Sequence, residues 1–81
     1  MNFKNRIILY KKDLKNNEYI EIITAQRTYK VNNDEKIEFK DDYVVIYHNN
    51  QIEYFLLESI LSIIIHMEEF EISNLDDKDL Y

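Results

Sequence analysis

His48 and His66, with the nearby Ser59 and Ser62, are the side chains of this chain that could supply a base, a metal ligand or a nucleophile. The two histidines lie eighteen positions apart, and neither has another histidine or a cysteine beside it. Imidazole and carboxylate can both ligate zinc, so His66 with Glu68 or Glu69 is the one conceivable metal pair, two ligands short of a closed site. Ser59 and Ser62 lie three residues apart and close to His66 in the sequence, yet the sequence contains no glycine to build a strained nucleophile elbow, and nothing signals an oxyanion hole. The same lack of glycine removes the phosphate-cradling loops whose backbone N–H groups must approach the ligand closely. The expectation is a protein without catalytic residues, metal site or cofactor.

Charge is sorted along the chain. Residues 1–40 hold nine of the ten Lys and Arg residues against six carboxylates, a net of +3, whereas residues 41–81 hold Lys78 against ten carboxylates, a net of −9. Such asymmetry bears on partners and solubility rather than on fold. Lys4, Arg6, Lys11, Lys12 and Lys15 flank Phe3 and Tyr10, a mixture that can hold phosphates and stack bases, but the total of −6 opposes a polyanion.

Eighty-one residues make one domain, 1–81, which must cohere by packing alone because cysteine is absent. The lack of cysteine fits a reducing cytoplasm, and neither a signal-peptide core nor a spanning apolar run is present, so the expectation is a soluble, cytoplasmic protein. Thirteen Ile, with Val, Phe and Tyr, favour strands.

With neither Gly nor Pro, tight turns fall to Asn and Asp. Asn16-Asn17, Asn32-Asn33-Asp34, Asp41-Asp42 and Asn49-Asn50 mark them, and they divide the chain at the close spacing of a small antiparallel sheet. Strands are predicted at 6–12, 19–31, 36–40, 43–48 and 51–55, with a bend or bulge near Ala25 in the long second one. Residues 74–81 read as a flexible acidic terminus.

Residues 55–69 admit two readings. As a helix, Glu58, Ser59, Ser62, His66 and Glu69 share a polar arc opposite Leu56, Leu57, Ile60, Leu61, Ile63, Ile64 and Met67, giving an α+β sheet of four or five strands covered by one amphipathic helix. As a strand, a single helical turn and a further strand, the consecutive β-branched Ile63, Ile64 and Ile65 are better served. The spacing Ile52-x-Tyr54-x-x-Leu57-x-x-Ile60-x-x-Ile63-x-Ile65 resembles the closing segment of SH3-like, Sm-like and pleckstrin-like small β folds, over residues 36–65. That resemblance implies a mainly β fold, a small antiparallel roll or barrel with a short helical turn, and this is the preferred architecture. The RNA site of Sm-like proteins depends on a loop glycine and does not carry over.

Glu68, Glu69, Glu71, Asp76, Asp77 and Asp79 are interleaved with Phe70 and Tyr81, a pattern suited to a basic, nucleic-acid-binding protein surface: carboxylates can take the place of phosphates while the aromatic residues anchor. The functional expectation is therefore a non-enzymatic acidic binding module with these eight residues as its partner-binding set. In size and charge it resembles phage-encoded inhibitors of the anti-CRISPR and related anti-defence type. Two alternatives stand beside it: a structural subunit self-assembling through charge-complementary β surfaces, and a nucleic-acid-binding small barrel using the basic half. Among the tyrosines, Tyr43, Tyr47 and Tyr54 are expected to be structural, and Tyr10, Tyr29 and Tyr81 reachable.

Overall fold

Asn2 caps a helix, α1 (Phe3–Asp13): its Oδ1 accepts from the Asn5 N–H at 3.1 Å and its carbonyl accepts from the Arg6 N–H at 3.2 Å. The computed structural model describes residues 2–67. The helix corrects the strand expected at 6–12. Phe3, Ile7, Tyr10 and Leu14 recur every three or four positions and so share one helical face; Ile7 is fully buried and the other three pack around it. Lys11 and Lys12 in the last turn complement the negative end of the helix dipole.

Six strands follow: β1 (Tyr19–Thr24), β2 (Thr28–Asn32), β3 (Lys36–Phe39), β4 (Tyr43–Tyr47), β5 (Ile52–Leu56) and β6 (Ile60–His66), with a 3₁₀ turn, Leu57–Ser59, between the last two. They form two three-stranded antiparallel sheets in the orders β2-β1-β6 and β3-β4-β5. The protein is thus mainly β, and the helix alternative for 55–69 is overturned. Ser59 Oγ donates to the Leu56 carbonyl at 2.7 Å, and the 3₁₀ turn is held at both sides by Leu57 N–H to Asp42 C=O (2.9 Å) and Ala25 N–H to Ser59 C=O (3.1 Å). Beyond it the Ile-rich stretch pairs with β1, with a register shift that leaves Leu61 bulged between Ile60 and Ser62.

Where one long bent strand was expected at 19–31, the chain reverses. Thr24 supplies the turn without glycine or asparagine: its hydroxyl donates to the Arg27 carbonyl at 2.8 Å and accepts from the N–H groups of Gln26 and Arg27 at 3.2 and 3.1 Å. The Asn and Asp clusters fall at turns as predicted, and Asn17 takes the positive φ of 73° that glycine would otherwise supply.

The inner faces meet in one core. Ile20, Ile22, Tyr29 and Val31 come from the first sheet, Val44, Ile46 and Phe55 from the second, with Ile7 and Ile60 completing the cluster. Tyr29, expected to be reachable, is buried and stacks on Phe55 with ring centroids 4.3 Å apart. No described helix is long and apolar enough to cross a membrane.

Candidate interaction surface

Three of the side chains first considered for chemistry, His48, His66 and Ser59, are engaged elsewhere. His48 lies between Glu35 and Glu53, with Nδ1 2.8 Å from Glu35 Oε2 and Nε2 2.7 Å from Glu53 Oε1. His66 Nε2 lies 2.8 Å from Glu21 Oε1, its ring stacked on Tyr19, and Ser59 donates to the backbone. Among the described residues no group of three or more His, Cys, Asp or Glu side chains is arranged to hold a metal ion. The eight residues expected to bind a partner, Glu68, Glu69, Phe70, Glu71, Asp76, Asp77, Asp79 and Tyr81, lie outside the described residues.

What sequence reasoning passed over is the outer face of the β3-β4-β5 sheet. The pleat sends Val44, Ile46 and Phe55 inward, so Tyr43, Val45 and Tyr47 of β4 and Ile52, Tyr54 and Leu56 of β5 lie on the other side, where Val45 is nonetheless buried and Tyr47 half-buried. The cross-strand pairs Tyr43 with Leu56, Val45 with Tyr54, and Tyr47 with Ile52 make them one contiguous patch. Tyr54 is 68% exposed, Ile52 59%, Leu56 50% and Tyr43 40%. Tyr43 and Tyr54, expected to be structural, are therefore surface residues, set edge to face with centroids 6.4 Å apart. Together with Lys40 and Val45 they line an open groove of about 720 Å³. Contiguous exposed apolar patches are one of the features by which interaction sites differ from the rest of a protein surface.

One edge of this face is electrostatically fixed. Tyr47 donates to Glu38 Oε1 at 2.8 Å, while Lys36 and Lys40 approach the same carboxylate at 3.1 and 3.4 Å. The hydrogen bond from Tyr47, then that from Lys36, holds the Glu38 carboxyl down at about 2, and the same bond to Glu38 pushes the Tyr47 hydroxyl up. Glu38 so neutralises much of the positive charge that Lys36 and Lys40 would bring to the groove. Several cations of the amino-terminal half are likewise occupied within the molecule: Lys11 Nζ donates to the Asn33 carbonyl at 3.0 Å, Lys30 lies 4.3 Å from the Tyr19 ring centre, Lys4 lies 5.9 Å from that of Phe39, and Arg27 pairs with Glu53 at 3.1 Å.

Comparison with protein-family models, with curated proteins and with solved structures returned no significant match.

Proposed function

We propose that this protein is a non-enzymatic binding module whose docking surface is the outer face of the β3-β4-β5 sheet, and that its partner is a basic protein presenting apolar side chains. The observation that carries the reading is the exposed set Tyr43, Ile52, Tyr54 and Leu56 on the paired strands β4 and β5. Tyrosine brings large contact area at low entropic cost, and exposed aromatic anchors dominate interface energetics. The partner's charge follows from the chain's own: from position 36 onward it carries eleven carboxylates and three lysines, so a basic surface is steered toward this half. The finer reading, an inhibitor of the anti-defence type that occupies a nucleic-acid site, rests on the acidic residues of 68–79 and on their number alone.

Tyr54 and Leu56 project outward and can be changed without touching the core, so Tyr54→Ser and Leu56→Ser chains remain folded. A pull-down from host extract with wild type, with the double variant and with Glu68, Glu69, Asp76, Asp77 and Asp79 replaced by Asn or Gln tests both components. The expected result is one basic protein captured by wild type, bound about 30-fold more weakly by the face variant, and released from wild type by salt. Equal capture of that protein by wild type and the face variant removes the face from the function. Self-association of wild type that the face variant abolishes assigns the surface to a second copy instead.

A further inference from the structure

His48 sits where four parts of the chain converge. It follows β4, Glu35 closes the turn between β2 and β3, Glu53 belongs to β5, and Arg27 reaches Glu53 from the turn between β1 and β2. The cluster therefore ties the two sheets together along the length of β2, from the turn that precedes it to the turn that follows. The side chains of His48, Glu35 and Glu53 are each only 16% exposed, so water competes weakly for their hydrogen bonds.

The geometry fixes the protonation state. A neutral imidazole has one N–H and one bare nitrogen, yet both ring nitrogens of His48 face carboxylate oxygens within 2.8 Å. Both contacts are attractive only if the cluster holds one extra proton. The second oxygen of each carboxylate already has a donor that favours the ionised form: Glu35 Oε1 accepts from the Asn32 N–H at 2.8 Å, and Glu53 Oε2 meets Arg27 Nη2 at 3.1 Å. The proton accordingly resides on the imidazole, giving two cations and two anions in register. Lys30 is the further charge acting on Glu35.

We propose that His48 is a proton-operated clasp between the two sheets: protonated, it locks the β2–β3 turn to β5, and on losing one proton it must release one of the two carboxylates. Release leaves one carboxylate facing a bare nitrogen lone pair and frees the end of the β4–β5 hairpin that carries Tyr47 and Ile52. Consistent with this geometry, the Glu35 contact, opposed by burial and assisted by Glu53, raises the His48 pKa above 6.5. His66 provides an internal contrast: among the described residues a carboxylate, Glu21, meets only one of its ring nitrogens, Nε2.

Nitrogen NMR of both rings across about pH 6 to about pH 9, with amide exchange read on the same samples, tests the clasp. The expected result is a doubly protonated His48 ring above pH 6.5. As that ring titrates, exchange at the Asn32 amide, corrected for base catalysis, should rise ~10-fold. In Glu35→Ala, which removes the acceptor, the same amide should exchange fast at every pH, while Glu53→Gln lowers the His48 midpoint and keeps the Asn32 bond. A His48 ring with one bare nitrogen at neutral pH, or a titration that leaves Asn32 exchange unchanged, overturns the proposal.

Discussion

At the scale of single residues, side-chain hydrogen bonds do the work that glycine, proline and cysteine do in other small proteins. Asn17 stands at φ 73°, where a β-branched side chain is strongly disfavoured, so Asn17→Val should cost about 1–2 kcal/mol in chemical denaturation while Asn17→Gly is close to neutral. Titration follows the same local bonds. The His48 pKa is raised on folding, so its stabilisation is full below pH 6.5 and is lost as pH climbs through the folded value. The difference in denaturation midpoint between wild type and His48→Gln should therefore shrink in alkali. Glu38 has the opposite sign: its pKa falls from 4.5 to about 2, so its contribution is present above pH 4.5 and disappears as pH drops toward 2. A Glu38→Gln chain should accordingly show less acid sensitivity than wild type in that window.

At the scale of elements, the sequence was clearest where polarity alternates and turns are marked, and misleading where apolar residues run together. Strands β3, β4 and β5 lie within a residue or so of expectation because Asp41-Asp42 and Asn49-Asn50 bound them. Ile7 to Tyr10 read as a strand because four consecutive apolar residues obscured the helical spacing of Phe3, Ile7, Tyr10 and Leu14, and the Asn2 cap was overlooked. The hairpin at Thr24 was hidden for another reason: a threonine hydroxyl closing a turn leaves no Gly, Pro, Asn or Asp signature. Both elements can be checked by stability. Ile7→Ala, at a fully buried position, should cost about 2–5 kcal/mol. Thr24→Val, which strips two turn N–H groups of their acceptor, should cost about 1–3 kcal/mol and loosen amide protection at Gln26 and Arg27.

At the scale of the whole molecule, two sheets and a helix close one core, and the outer side of the second sheet, which no other described element packs against, is left as an apolar surface. The acidic character of the carboxy-terminal half was plain in the sequence, but the aromatic face was not. Period-two alternation shows that a strand has two faces without saying which one the rest of the chain will cover, and Tyr43, Tyr47 and Tyr54 suit either side. The exposure of Tyr43 and Tyr54 emerges only when Val44, Ile46 and Phe55 are committed to the core by Ile7 and the first sheet. The central claim, that the outer face of β3-β4-β5 is where a partner docks, is tested most directly by site-specific photocrosslinking. A photoreactive side chain is placed at position 54, on the face, or at position 12, on the exposed side of α1, and each chain is exposed to cell extract with and without excess wild type. The account predicts one basic protein joined from position 54, suppressed by the competitor and absent from position 12; adducts of equal yield from both positions, or none that wild type displaces, would contradict it.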